Sequence, residues 1–152
     1  MAELVCPIYD VASLLPHSGD MILLDCVTEY AEDYLTAEMT VRENNILIKN
    51  GKLATVVGIE ILAQGVAAWA GCMSVLADEP IRLGYLLGSR KLFVYSQEIP
   101  IGTNLQIKVK KSIQDASGFG VFDCQLIDLN QNKLILEGAL NLFCPKNDEE
   151  SK

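Results

Sequence analysis

The chain has 152 residues, half of them hydrophobic, and a formal net charge of −8 at pH 7. That length and apolar content fit one domain with a sizeable core. Twenty acidic against twelve basic residues argue against a nucleic-acid partner, which needs a basic footprint. Mean hydropathy is positive, +0.24, which is high for a small soluble monomer, so a second subunit is expected to cover part of the apolar surface.

Met1 to Tyr9 lacks the basic start and apolar core of a secretory signal. The five cysteines, Cys6, Cys26, Cys72, Cys124 and Cys144, are odd in number, widely spaced and without a Cys-x-x-Cys pair. They therefore argue against a disulfide framework or a zinc site. Reduced, mostly buried thiols in a cytoplasmic protein are the expectation.

In chain order, Tyr9 to Leu15 predicts a short helix ending at Pro16, and Met21 to Val27 a β-leaning apolar run. From Tyr34 to Val41 the sequence alternates, with Leu35, Ala37, Met39 and Val41 on one face. Arg42 to Leu53 is irregular, with Asn44, Asn45, Asn50 and Gly51 as turn formers. A long helix follows, roughly Val57 to Leu76, apolar nearly all round and so expected to be buried nearly all round. Its apolar run is long enough for a bilayer, but Glu60, Gln64 and several small residues make it a buried core helix rather than a membrane span. Asp78, Glu79 and Pro80 end it.

The remainder reads as strands. Arg82 to Leu87 and Lys91 to Ser96 form a pair, or one strand bent around Gly88. Leu105, Ile107 and Val109 alternate with polar residues. Gly120 to Ile127 and Leu134 to Phe143 are strands joined by a turn at Asn130 to Asn132. One antiparallel sheet around one helix is an α+β fold, with Gly84, Gly88, Gly120 and Gly138 available for the kinks of a curled sheet. A single domain is expected over residues 1–146, with 147–152 a disordered acidic tail.

Three motifs, in order, carry a resemblance. Leu14-Leu15-Pro16-His17 followed by an apolar run to Asp25 resembles the opening of the FabZ-type 3-hydroxyacyl-carrier-protein dehydratases. Gly58-Ile59-Glu60-Ile61-Leu62-Ala63-Gln64 is similar to the start of their central helix. Lys91-Leu92-Phe93 through Pro100-Ile101-Gly102 is similar to their phenylalanine strand and its turn. The chain resembles the ApeP-like branch more closely, through Ala67-Ala68-Trp69-Ala70-Gly71, Arg82 to Arg90 and Gly120-Val121-Phe122-Asp123-Cys124.

The resemblance implies a hotdog fold, a sheet wrapped around one helix. It also implies a dehydratase that turns a 3-hydroxyacyl thioester, carried by acyl carrier protein or coenzyme A, into a trans-2-enoyl thioester, in fatty-acid-like or aryl-polyene biosynthesis. One departure stands out: FabZ-type enzymes carry Gly-His-Phe-Pro before the helix, whereas here the stretch reads Ile48-Lys49-Asn50-Gly51-Lys52-Leu53, and His17 is the chain's one histidine.

Dehydration needs a base at the α carbon, an acid at the β hydroxyl and donors on the thioester oxygen. His17 is the candidate base, and Asp20 a residue that would orient it. Glu60, flanked by Ile59 and Ile61, is the candidate acid. Free N–H groups around Val57 and Gly58 at the helix start are candidate donors, with Gly58 allowing close approach. Gln64, one turn beyond Glu60, would orient Glu60 or substrate, or satisfy a buried polar contact. No metal or cofactor is implied. The expected assembly is a homodimer or higher oligomer, or a pair with a second hotdog protein, and no membrane association is expected. The alternatives are a degenerate subunit that partners an active dehydratase, and an acyl thioesterase. Arg82, Arg90, Lys91, Lys108, Lys110 and Lys111 are the candidates for a carrier-protein patch. Trp69, Phe93, Phe119 and Phe122 either pack the core or line an acyl tunnel.

Overall fold

A computed structural model describes residues 4–145; the tail expected at 147–152 lies outside them. One sheet is built from six strands: β1 Cys26–Tyr30, β2 Tyr34–Thr40, β4 Tyr85–Val94, β6 Asn104–Gln114, β7 Phe119–Asp128 and β8 Lys133–Phe143. All neighbours are antiparallel, in the order β1-β2-β6-β7-β8-β4. A small second sheet pairs β3 Leu53–Ala54 with β5 Glu98–Ile99. A 3-10 turn, Thr55–Val57, leads into α1, Gly58–Leu76. The sheet packs on one side of this helix, which is the hotdog arrangement the resemblance implies.

The alternation that marks the strands also builds the core. Leu35, Ala37 and Met39 of β2 lie beside Val109, Ile107 and Leu105 of β6, and all are buried. From the helix, Gly58, Ile61, Leu62, Gly65, Trp69 and Cys72 are buried. Glycine is required where the two layers touch. A Cβ at Gly58 would press on Leu126 and Leu136 at 2.8 and 3.0 Å, and one at Gly65 on Ile107 at 2.8 Å. At Gly71 it would overlap the carbonyl oxygen of Leu14, on the Val11–Leu14 3-10 turn. Burial raises the Cys124 thiol pKa and pushes Cys72 up to about 12. All five cysteines are free.

Three expectations change. Helix α1 is not buried all round: Ala63, Ala67, Ala70 and Ser74 are half-buried and Glu60 is exposed. Alanines make a helix apolar without giving it bulk to bury, so the stripe at 60, 63, 67, 70 and 74 stays open. Met21 to Val27 is not a continuous strand. A 3-10 turn at Gly19–Met21 and an extended stretch precede β1. Finally, β4 bends at two places. One lies at Gly88, and the other between Arg90 and Phe93, where Lys91 takes a left-handed φ of 52° without help from glycine.

The contact at Gly71 makes a stability prediction. Gly71→Ala should destabilise the chain by about 2 kcal/mol in urea unfolding, since overpacking outweighs alanine's better helix propensity. Gly88→Ala, which meets nothing within 4 Å, should change stability much less.

Candidate active site

The outward stripe of α1 forms one wall of a cavity of about 190 Å³. Its opposite walls come from residues 82–86, the start of β7 and the end of β8. His17, Glu60 and Gln64 all line it, together with Trp69, Phe122 and Leu142. The chain therefore brings three of the five sequence-predicted residues to one place.

Two contacts lay the His17 segment along the helix. Leu14 abuts Gly71. Ten residues on, Gln64 Oε1 accepts hydrogen bonds from the Leu23 and Leu24 N–H groups at 2.6 and 3.1 Å. Gln64 Nε2 donates to Met21 O at 2.8 Å. The stretch 14–24 thus runs against α1 from Gly71 back to Gln64, with His17 between these anchors. His17 is half-buried, and its Nδ1 is buried with no hydrogen-bond partner among the described residues. Glu60 lies one turn before Gln64, and no hydrogen bond joins it to His17.

Each candidate gains a position. Gln64 is 3% exposed and its polar atoms are spent on backbone, so of the roles open to it the structure shows the buried polar contact. The apolar flanks of Glu60 do not bury it: Ile61 turns into the core and Ile59 is half-buried, leaving the carboxylate exposed. Gly58 faces the sheet, and its N–H donates back to Thr55 O and Val56 O. It is thus neither the free donor nor the open approach expected of it, because its lack of a side chain serves helix–sheet packing. Val57 is half-buried and, with Glu60, Lys49 and Lys52, lines a second hollow on the other side of the helix start. Glu60 is common to both hollows. Asp20 is exposed. Asp25 binds Arg42 at 2.9 Å and accepts the Thr40 N–H at 2.8 Å, a structural role.

The aromatic candidates divide. Trp69 and Phe122 line the cavity with ring centroids 5.3 Å apart. The Trp69 indole N–H donates to Ala31 O at 3.1 Å, and Lys111 Nζ stands 5.4 Å over its ring. Phe93 is on the outer face of the sheet, in a shallow hollow of about 820 Å³. Lys91, Lys108 and Lys110 lie there too, but so do Glu29, Asp33, Asp123 and Glu137. The lysines therefore do not make a patch of one sign. Arg82 does not join them: it lines the inner cavity. That placement differs from the carrier-patch role for which Arg82 was a candidate. Among the described residues, no three His, Cys, Asp or Glu side chains cluster to hold a metal ion.

A six-stranded antiparallel sheet wrapped on one long helix defines a hotdog-fold protein. The chain belongs to the ApeP-like dehydratase family, whose model, described as ApeP dehydratase, matches residues 9–152. Among solved structures it is similar to the dehydratase heterocomplex ApeI:P from Xenorhabdus doucetiae. That match has 27% identity, covers 97% of this chain and 96% of that one, and has a TM-score of 0.83. Two more distant structures share the fold. One is Cj0977, a virulence protein of Campylobacter jejuni (14% identity, 92% and 91% covered, TM-score 0.60). The other is the PaaI protein of the E. coli phenylacetic acid degradation operon (11%, 77% and 80%, 0.58). A search of curated protein sequences found no match.

The anchoring by Gln64 is testable. Gln64→Ala strands two buried N–H groups, which should cost about 3 kcal/mol of stability in denaturant unfolding and raise hydrogen exchange at Leu23 and Leu24. Unchanged exchange at those two amides would contradict the anchor.

Proposed function

We propose that the chain dehydrates 3-hydroxyacyl thioesters, carried by acyl carrier protein or coenzyme A, to trans-2-enoyl thioesters. The observation that carries this reading is the shared cavity: the one histidine and the helix-start carboxylate line the same apolar chamber. Membership of a dehydratase family supports it. Glu60 lines both the inner cavity and the hollow that Lys49, Lys52 and Glu98 line. A carried thioester has two unlike halves, an apolar acyl chain and a polar arm. With the thioester at Glu60, the acyl chain enters the inner cavity and the arm follows the second hollow. His17 takes the C2 proton, and the C3 hydroxyl receives a proton from Glu60 and leaves as water. The C2–H electron pair becomes the C2–C3 double bond.

Glu60 is exposed and the alanine stripe half-open, so this site is closed by a second hotdog chain. Strand β4 ends the sheet and carries exposed Tyr85, Leu87 and Phe93, an edge suited to continuing the sheet into a partner. The partner is a second copy or a different hotdog protein. The ApeI:P heterocomplex and the absence of Gly-His-Phe-Pro from residues 48–53 favour the different one, and with it the reading in which this chain depends on an active partner.

The test is turnover of a 3-hydroxyacyl thioester, read as conjugated-enoyl absorbance, by the purified chain alone and mixed with a partner hotdog protein. His17→Ala and Glu60→Gln should each lower the rate about a hundredfold or more while the fold is retained. A rate that appears only with the partner and ignores both substitutions would move catalysis to the partner. Free thiol released without a double bond would instead mark a thioesterase.

A further inference from the structure

Residues 49–52 form a tight hairpin beside the start of α1. The Lys49 N–H donates to Lys52 O at 2.8 Å, and the Lys52 N–H donates to Lys49 O at 3.0 Å. Asn50 and Gly51 fill the turn with φ values of 54° and 76°, the two positive values that the tightest hairpin turns require. Two residues that exchange both backbone hydrogen bonds send their side chains to the same side of the hairpin. Two ammonium groups are thereby held as cross-strand neighbours. Like charges placed so are destabilising, and an anion brought to them relieves the repulsion.

The chain supplies one such anion. Lys52 Nζ pairs with Glu98 Oε2 at 3.3 Å, with both side chains half or more exposed. Lys49 is exposed, and its side chain has neither an ion pair nor a hydrogen bond among the described residues. Both lysines line the hollow of about 790 Å³ at the helix start, together with Glu60 and the apolar Leu47 and Val57. From Lys52 the chain runs through β3, the 3-10 turn and the first turn of α1 to Glu60, a path of about 17 Å at most. An extended phosphopantetheine arm can cross such a span. That arm is amide-rich, partly apolar and ends in a phosphate, so a hollow with apolar walls and an unmatched cation suits it.

We propose that Lys49 binds the phosphate of a phosphopantetheine arm, the anion that carrier-borne and coenzyme A thioesters have in common. This rests on the reading that seats the thioester at Glu60 and its arm in this hollow.

The probes are thioesters of one saturated acyl group, which cannot be dehydrated, on pantetheine, on 4′-phosphopantetheine and on coenzyme A. Each is titrated into the full chain by calorimetry. The phosphopantetheine thioester should bind about fivefold more tightly than the pantetheine thioester, the upper value of an exposed ion pair, and the gain should shrink as salt rises. Lys49→Gln should remove the gain and Lys49→Arg should keep it, and both are exposed changes of small effect on folding. No gain in the wild type, or a gain that survives Lys49→Gln, would overturn the proposal, while binding of the pantetheine thioester still supports the thioester site. Coenzyme A separates the two sources. A further gain on it that survives Lys49→Gln supports the proposal with the free coenzyme as donor, and no further gain supports it with the carrier-borne arm. A further gain that Lys49→Gln abolishes would put Lys49 at the nucleotide and overturn the assignment. Failure of all three probes to bind would overturn the thioester reading and this proposal with it.

Discussion

The site depends on how the segment that carries His17 is held to the central helix. Residues 14–24 have no strand partner, and they would wander if nothing fixed them. Two contacts do so. At Gly71, the absence of a side chain lets the Leu14 backbone lie directly on α1. At Gln64, a buried amide takes the N–H groups of Leu23 and Leu24 and gives its own to Met21 O. A buried polar side chain is tolerated when it is hydrogen-bonded, and this one makes three such bonds with backbone. A histidine is thereby placed on an apolar wall of a helix whose other face is sealed by the sheet.

The same helix solves a packing problem in two ways. Toward the sheet it offers glycines and large apolar residues, so backbone and strands approach closely. Away from the sheet it offers alanines, which leave room along the stripe from Glu60 to Ala70. That asymmetry creates the cavity, and it also leaves an open apolar face in the isolated chain. The positive mean hydropathy has a structural counterpart here and along β4.

Much of the fold was legible because burial writes itself in periodicity. Leu105, Ile107 and Val109 announce β6, and the helix begins within a residue of its expected start. Met21 to Val27 misled for a definite reason: Leu23, Leu24, Cys26 and Val27 are core residues, as a strand's would be, but Gln64 takes the Leu23 and Leu24 N–H groups that strand pairing needs. Gly58 misled in another way. Its position beside a candidate catalytic residue invited a role at the substrate, whereas the space it leaves is filled by Leu126 and Leu136. For the site, residue type and order singled out His17 and Glu60. Arg82 was grouped with the surface cations, because the chain reversal after the helix that puts it on the inner cavity leaves no pattern in sequence.

The most direct measurement is the crystal structure of the chain, with the proposed hotdog partner, bound to a non-hydrolysable 3-hydroxyacyl thioester analogue. The account predicts the acyl chain between α1 and the β7–β8 strands, with the analogue's C2 and C3 hydroxyl within hydrogen-bonding reach, roughly 2.6–3.2 Å or one water away, of His17 and Glu60. An analogue seated in the charged hollow on the outer face of the sheet, among Lys108, Lys110 and Glu137, would contradict it.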